Sequence, residues 1–234
     1  MVSGMTKNDA VKMLEEYDAL SCVDMIDMLR KEDSRLLYAG EEGVSVEYRG
    51  LVTLTSFIDD FTRILDRTGY EPDLICVHDE DMRNHLVEKY GYQNEEGCYS
   101  YSYYGDPFPL DGYDFRTLDV SFKDRIREVY TLASEESLLD DFSRGEVFGL
   151  FIDGNMVGFI GFHSEGSMGM LHVFAEGRKK GYGSLLEKYD INKALELGRI
   201  PYCHVFESNT ASQALQAKLA LKRGKRKCWW LWKD

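Results

Sequence analysis

The chain has 234 residues, of which 44% are hydrophobic and 13% aromatic, and its formal net charge is −13. This composition excludes a mainly disordered chain, and no run of about 18 apolar residues predicts a membrane-spanning helix. Residues 1–110 hold 10 Lys and Arg against 23 Asp and Glu, whereas the remaining residues hold 18 of each. Because the excess charge is acidic, we expect no nucleic-acid partner, and we expect no membrane partner either.

The five cysteines are scattered along the chain without a CxxC pair, which predicts neither a disulfide framework nor a zinc site. They are Cys22, Cys76, Cys98, Cys203 and Cys228. The first residues lack the basic-then-apolar pattern of a secretion signal. We therefore expect a cytoplasmic protein with reduced thiols and no bound metal.

The first half of the chain predicts a mixture of helices and strands. Apolar residues at helical spacing predict helices at 7–20, 23–30, 57–67 and 79–90. Short β-rich runs predict strands at 36–39, 44–48, 51–55, 73–77 and 97–104. The connector 105–112 then holds two of the four prolines and coincides with the change in charge. We therefore predict a domain at 1–105, a linker at 106–112 and a second domain at 113–234.

The second half predicts the element order β-α-α-β-β-β-α-β-α-β, which is a mixed α/β layout. The predicted helices lie at 121–132, 137–142, 181–197 and 209–221. The predicted strands lie at 115–118, 146–152, 156–162, 167–174, 201–206 and 228–232. Asp153 and Gly154, between two β-rich runs, predict a tight hairpin turn.

The order of elements in the first half repeats the order in the second. Leu74–Val77, followed by a helix that reaches Lys89, parallels 202–205, followed by a helix that reaches Lys218. One interpretation is that two domains share one fold. The alternative is convergent α/β patterning.

Residues 171–184 carry the most informative pattern, in which a strand ends, a basic turn follows and a helix begins with two glycines. Gly181 and Gly183 allow the backbone to approach a ligand, and the N–H groups of the helix start carry partial positive charge. Arg178 and the two lysines after it add full charges. The pattern predicts a pyrophosphate-binding turn. It lacks the Gly-Lys-Ser/Thr of a Walker loop and the third glycine of a Rossmann fingerprint.

The run Arg-Lys-Lys-Gly-Tyr-Gly at 178–183 resembles the Arg/Gln-x-x-Gly-x-Gly/Ala signature of the GNAT superfamily of acyl-CoA-dependent N-acyltransferases. Asn209, Ser212 and Leu215 resemble the second conserved segment of that family. The resemblance covers about residues 113–234.

Residues 1–110 resemble a degenerate copy of the same domain. The glycine turn is replaced there by 53–60, which contains Asp59 and Asp60. Two carboxylates would repel a pyrophosphate. A degenerate first half before an active second half resembles the glycine N-acyltransferase-like branch.

The resemblance implies a tandem GNAT fold, with a central mixed twisted sheet flanked by helices in each half. It implies acetyl-CoA as co-substrate, with the pantetheine arm in a V-shaped opening between strands 167–174 and 201–206. The amide of Val173 would polarise the thioester carbonyl. The residues implied to contact the co-substrate are His172, Val173, Phe174, Arg178, Lys179, Lys180, Gly181, Tyr182, Gly183, Ser184, Asn209 and Ser212.

The attacking amine must lose a proton, and the base in this family is often a Glu near the fourth or fifth strand. Glu165 and Glu207 are therefore candidates, with His204 as a third. The alternative for each Glu is a solvated loop carboxylate, and for His204 a structural strand histidine. The family's usual acid, a Tyr after the Leu of the second segment, is replaced by Gln216, which is a poor proton donor. Another residue then serves, the thiolate leaves unassisted, or the site is inactive.

The expected activity is transfer of an acetyl group from acetyl-CoA to a primary amine of a small molecule, by direct attack and without a covalent enzyme intermediate. The acidic first half would favour a cationic amine. Gln216 motivates the alternative of a non-catalytic acyl-CoA-binding or regulatory module. A further alternative is a protein or peptide N-acetyltransferase. We expect a monomer or a homodimer.

Two patterns remain. The basic run 222–227 predicts a solvated turn, or an electrostatic aid to the 3′-phosphate of CoA or to an acidic group of the substrate. The aromatic runs 99–104 and 229–232 are typical of strands that bury one face, in a sheet or at a domain seam.

Overall fold

The computed structural model describes residues 4–69, 71–94, 96–131 and 134–233. The chain forms two compact units. The first consists of the described residues among 1–102, 204–217 and 221–234. The second consists of those among 103–203 and 218–220. The last strand of the chain therefore packs with the N-terminal residues. The domains proposed at 1–105 and 113–234, which divide the chain by sequence rather than by packing, stay a prediction.

The described chain contains both helices and strands, as expected for a mixed α/β protein. The helices are α1 (Lys7–Asp18), α2 (Val23–Arg30), α3 (Thr62–Thr68), α4 (Glu80–Tyr90), α5 (Lys123–Arg127), α6 (Glu135–Ser143), α7 (Tyr182–Glu196) and α8 (Thr210–Lys218). The strands are β1 (Arg35–Gly40), β2 (Gly43–Tyr48), β3 (Leu51–Ser56), β4 (Leu74–Val77), β5 (Gln93–Asn94), β6 (Cys98–Ser102), β7 (Asp114–Thr117), β8 (Val147–Ile152), β9 (Asn155–Phe162), β10 (Met168–Val173), β11 (Tyr202–Phe206) and β12 (Lys222–Trp232).

The two halves repeat one order of elements. Two helices, three strands, a helix, a strand, a helix and a further strand follow one another from α1 to β6, apart from the short β5. The same order runs from α5 to β12. The repeat that the sequence predicted is therefore present in the structure.

Local signals account for several element boundaries. Thr6 caps α1 in a capping box, because its hydroxyl accepts from the Asp9 amide while the Asp9 carboxylate accepts from the Thr6 amide. Asp153 and Gly154 both have positive φ, as a two-residue turn between β8 and β9 requires. The predicted hairpin is confirmed.

The first sheet has the strand order β1-β2-β3-β4-β12-β6-β11 among the described residues, with β5 paired to β12. β3 and β4 are parallel, and β12 is antiparallel to β4 and β6. One face of this sheet packs on an apolar core that includes residues of α3 and α4. The buried members of that core are Tyr38, Val52, Leu54, Ile64, Ile75, Val77, Met82, Leu86, Tyr92, Trp229 and Leu231.

The second sheet is antiparallel in the order β10-β9-β8-β7, so β10 forms one edge among the described strands. Its core includes residues of α5, α6 and the strands themselves. The buried members are Leu118, Ile126, Leu138, Phe142, Val147, Phe151, Met156, Phe159 and Met170. No helix within the described ranges is long and apolar enough to cross a membrane.

Three predicted elements differ from the structure. The helix expected at 57–67 begins only at Thr62, because the chain first turns with the Phe57 amide bonded to the Glu42 carbonyl. The helix expected at 121–132 is a 3₁₀ turn at Val120–Phe122 followed by α5, and its cap is Asp119 rather than Ser121. Residue 132 lies outside the described residues.

The third difference concerns the basic run 222–227, which is part of a strand and not a solvated turn. β12 pairs with β6 from Lys222 onward, and β12 carries two more residues than β6 between the Arg223 and Lys227 pairs. The Arg223 guanidinium lies 4.5 Å from the centre of the Tyr99 ring. Pairing with a strand far away in sequence overrides the local preference of a charged run.

Candidate functional site

The turn between β10 and α7 is built by its own backbone. A short 3₁₀ turn at Ala175–Gly177 follows the strand, and the Gly177 amide donates to the Phe174 carbonyl at 2.9 Å. The Arg178 Nε donates to the Val173 carbonyl at 3.2 Å, which joins the basic turn to the end of the strand. α7 then begins one residue after Gly181.

The two glycines of this turn serve different purposes. Gly181 is the N-cap of α7 with φ of +84°, a left-handed conformation that favours glycine. A Cβ added at Gly183 would lie 3.7 Å from Cγ2 of Val173, which is an ordinary contact. Packing within the protein therefore does not require glycine at 183. An open backbone at this position suits the close approach of a ligand.

The start of α7 is electropositive. No side chain caps it among the described residues, and its first turn holds no acidic residue. Arg178, Lys179 and Lys180 are exposed immediately before it. The partial charge of the helix terminus and three full charges thus act together, which suits an anion such as a pyrophosphate.

The free edge of β10 leads to this turn. The Phe174 amide bonds to the Val157 carbonyl of β9 at 3.0 Å, so the backbone groups of Val173, one residue away, point from β9 toward the edge. Nearer its start, β10 contains a β-bulge. It carries one more residue than β9 between the Gly169 and His172 pairs, and Met170 has φ of +55°. A bulge redirects backbone groups at the edge of a sheet.

Aromatic side chains lie beside this edge. His172 stacks on Phe159 with ring centres 5.6 Å apart and meets the edge of Phe174 at 5.4 Å. Burial, together with the positive charge of Arg178, lowers the pKa of His172. The imidazole is therefore neutral at neutral pH, and His172 adds an aromatic surface rather than a charge.

Glu165 lies in the turn between β9 and β10 and is only 4% exposed, so it is not a solvated loop carboxylate. It accepts a hydrogen bond from the Ser167 hydroxyl. Burial raises the pKa of Tyr130, and the negative charges of Glu165 and Asp141 raise it further. Tyr130 therefore keeps its proton at neutral pH.

Tyr130 was not among the candidates from the sequence. It occupies an apolar position in the pattern of the helix predicted at 121–132, and such a position indicates packing. Its charged neighbours lie 11 and 35 residues further along the chain, so no local signal could have identified it.

The other base candidates have different surroundings. Glu207 is exposed and forms an ion pair with Lys227, with Oε2 and Nζ 2.7 Å apart. The side chain of His204 is buried, and its Nδ1 accepts a hydrogen bond from the Trp230 indole at 3.1 Å. Both belong to the first compact unit, whereas the basic turn belongs to the second.

The second conserved segment also lies in the first unit. The Asn209 side chain accepts from the Ser212 amide at 3.1 Å, which satisfies a backbone donor at the start of α8. Gln216, in place of the family's usual Tyr, is buried at 2% exposure. A shared site for Asn209, Ser212 and the basic turn stays a prediction, as does the V-shaped opening between β10 and β11.

Comparison with known proteins identifies the class. Residues 113–220 match the model of the acetyltransferase (GNAT) family. A Drosophila protein of known structure aligns over 97% of this chain and 95% of its own, with 12% identity and a TM-score of 0.68. A GCN5-related N-acetyltransferase from Kribbella flavida aligns over 96% and 95%, with 11% identity and a TM-score of 0.55.

A GCN5-related N-acetyltransferase-like protein from Streptococcus suis gives the same TM-score, 0.55, over 97% of this chain and 100% of that one, with 12% identity. No curated protein gives a significant match to the sequence. Residues 113–220 thus form a GNAT domain, of a family whose members transfer acyl groups from acetyl-CoA. With the repeated element order, the chain has a tandem GNAT fold.

Proposed function

We propose that this protein transfers an acetyl group from acetyl-CoA to the primary amine of a small molecule. The observation that carries the proposal is the turn between β10 and α7. It combines a left-handed Gly181, an uncrowded Gly183 and three exposed cations at the start of a helix. In this proposal, residues 178–184 bind the pyrophosphate of the co-substrate.

The position of Val173 suggests where the acyl group lies. Val173 is beside the turn, because a Cβ added at Gly177 or Gly183 would meet its methyl groups at 3.2 and 3.7 Å. A pantetheine arm is about as long as five extended residues. An arm that starts at the turn and follows β10 therefore passes Val173 and ends near the bulge at Met170.

This path changes the role expected for Val173. Its amide, on the edge of β10, would bond the pantetheine arm, and the thioester carbonyl would lie at the bulge. Backbone N–H groups there would stabilise the negative charge that develops on the carbonyl oxygen. Edge groups freed from the ladder by a bulge are suited to this task.

Glu165 is the base that we favour. It lies in the tight turn that leads into β10, which the His163 amide closes by donating to the Ser167 carbonyl at 2.9 Å. In this proposal, the Glu165 carboxylate takes the proton of the attacking amine through a water molecule. The amine nitrogen then bonds to the acyl carbon as the carbon–sulfur bond breaks.

Tyr130 is the proton donor that we favour for the departing thiolate. It is partly buried, and it keeps its proton at neutral pH as a phenol ordinarily does. It would fill the role left open by Gln216. The required assistance is small, because a thiol already titrates near about 8.5.

The acidic first half of the chain supports a cationic acceptor. We propose the cytoplasm as the compartment.

A screen of small primary amines and of lysine peptides with acetyl-CoA tests the proposal, with release of the free thiol as the signal. We expect turnover of at least one small amine. Binding of acetyl-CoA without turnover of any amine would favour a regulatory module, and turnover of peptides alone a protein acetyltransferase.

A further inference from the structure

One face of the sheet of the first unit packs on the apolar core described above, and the opposite face carries both apolar and polar side chains. Ile75 and Val77 of β4 lie in the apolar core, so Cys76 between them points to the opposite face. Trp229 and Leu231 of β12 also lie in that core, so Cys228 points the same way as Cys76. The helix α2, which contacts β2 and β6, carries the buried Asp24.

Three polar side chains on or above this opposite face converge. Oδ2 of Asp24 lies 3.0 Å from Nε2 of His78, the residue that follows β4. Three donor atoms, one each from Asp24, Cys76 and His78, lie within 4.8 Å of one another. All three residues are buried. They supply an oxygen, a sulfur and a nitrogen.

Cys228 brings a second sulfur to the same face of the sheet. Cys76 pairs with Trp230 across β4 and β12, so Cys228 lies two pairs further along, level with His78. Its sulfur is not among the three donor atoms that lie within 4.8 Å of one another. With Cys228 included, this part of the sheet offers four donors of the types that bind zinc: a carboxylate, an imidazole and two thiols.

His204 supports the cluster from outside. An indole N–H can only donate, so Nδ1 of His204 is the acceptor for Trp230 and Nε2 carries the proton. That Nε2 lies 3.8 Å from Oδ2 of Asp24, so the protonated nitrogen faces a proposed ligand atom. A neighbour of this kind can orient a ligand atom around a metal.

The cluster is incomplete as a purely protein network. Oδ1 of Asp24 and Nδ1 of His78 meet no hydrogen-bond partner among the described residues. A buried polar atom that is left without a hydrogen bond lowers the stability of the fold. A carboxylate and an imidazole can both bind a cation. Either oxygen of Asp24 and either ring nitrogen of His78 can be the ligand atom.

We propose that Asp24, Cys76, His78 and Cys228 bind one Zn²⁺ ion within the first compact unit. Mixed sulfur and nitrogen donors select zinc over magnesium or calcium, which prefer oxygen alone. A tetrahedral site needs donor separations of roughly 3.3–3.8 Å. The donors of Asp24, Cys76 and His78, within 4.8 Å of one another, need small side-chain shifts to reach this geometry, and Cys228 completes the site by turning its sulfur toward them. The four ligands come from three elements and have no CxxC spacing, which explains why the sequence predicted no metal.

The test uses the full chain, because a buried site has no open path for an ion. The protein is unfolded in guanidinium with a chelator and a reductant, then refolded with no metal, with one equivalent of Zn²⁺, or with Co²⁺. We expect one zinc per chain by elemental analysis. At free zinc 1,000 times above Kd, we expect Tm to rise by roughly 8–16 °C. Tetrahedral Co²⁺ should add a thiolate charge-transfer band.

The variants Asp24→Asn and Cys76→Ser should lose the zinc and the zinc-dependent rise in Tm, and Cys76→Ser should also weaken the charge-transfer band. Cys203→Ser, a buried cysteine of the second unit, is the matched control and should keep all three signals. Circular dichroism of each variant checks folding. The Tm and the Co²⁺ spectrum of the wild-type chain test the proposal even if a variant fails to fold. No binding to the refolded wild type, or full zinc retention in Cys76→Ser, would overturn the proposal.

Discussion

The turn between β3 and α3 occupies the place in the first half of the chain that the turn between β10 and α7 occupies in the second. Asp59 and Asp60 lie before α3, and the Asp60 carboxylate accepts from the Thr62 hydroxyl at 2.5 Å. α3 has seven residues, against fifteen in α7. Three cations and a left-handed glycine lie before α7 instead.

This comparison separates fold from function. Both turns join a strand to a helix within a repeated order of elements, so the backbone plan alone does not make an anion site. The sign of the charge and the presence of glycine make the difference. We therefore expect acyl-CoA to bind in one half of the chain and not in the other.

The largest effect should come from the residue that we assign as the base. Glu165→Gln should lower kcat by about 10²–10³, because general base catalysis contributes on that scale, with little change in the affinity for acetyl-CoA. Steady-state kinetics and calorimetry measure the two quantities. The exposed Glu128→Gln is the matched control. A larger loss of kcat in Glu207→Gln would contradict the assignment and move the base to the first unit.

Reversal of charge tests the comparison of the two turns directly. Arg178→Glu combined with Lys179→Glu should raise Kd for CoA by about 100-fold, since charge-assisted contacts to the pyrophosphate become repulsive. The mirror variant, Asp59→Lys with Asp60→Lys, should leave Kd unchanged and create no second site. Calorimetric titration of both variants is the measurement. Equal effects of the two pairs would show that long-range charge, and not the turn, governs affinity.

The two glycines should respond differently to alanine. Gly183→Ala should raise Kd for CoA about tenfold with an unchanged Tm, because its Cβ fits the protein but obstructs a ligand. Gly181→Ala should lower the free energy of unfolding by about 1 kcal/mol, because its φ is positive. Thermal melts and CoA titrations distinguish them. A loss of Tm in Gly183→Ala, with affinity intact, would remove the ligand argument for that glycine.

The smallest effect concerns the buried side of the two helices. α3 buries Ile64 there, whereas α7 buries Asp190, whose two carboxylate oxygens have no partner among the described residues. Burial raises the pKa of Asp190 well above its ordinary value, and the charge of Glu187 adds to this. The folded state therefore binds the proton of Asp190 more tightly than the unfolded state does. The stability that this proton contributes is fully present below about pH 4 and is lost as pH rises toward the pKa of the folded state.

Asp190→Asn should therefore raise Tm at pH 7 by about 2–4 °C, which corresponds to about 1 kcal/mol. The gain should shrink as pH falls and vanish near about pH 3, where the carboxyl is protonated in both states. Thermal melts across this range are the measurement. A gain that is the same at pH 3 and pH 7 would show that ionisation of Asp190 is not the cause.

Features with local signals were predictable from the sequence. The Asp153-Gly154 hairpin and the basic turn at 178–183 follow from the backbone preferences and charges of adjacent residues. The pairing of 222–227 with β6 was not predictable, because the charged run has no strand signal and its partner lies 120 residues away. The bulge at Met170 was not predicted, although Gly169 directly precedes it.

The candidate site was predictable only in part, for the same reason. The residues that resemble the GNAT signature are contiguous, and the structure places them together in one turn. Tyr130 and Glu165 lie in separate parts of the chain, and the charge of Glu165 contributes to the raised pKa of Tyr130. Asp24, Cys76 and His78 are likewise brought together only by the fold of the first unit. Contacts of this kind depend on the packed fold and leave no spacing to find.

The most direct test of the account is calorimetric titration of acetyl-CoA and of free CoA into the purified chain. The account predicts micromolar binding at one site per chain, at the turn before α7. Binding at two sites would contradict the difference drawn between the two halves. No binding would contradict the proposed function and leave only the fold.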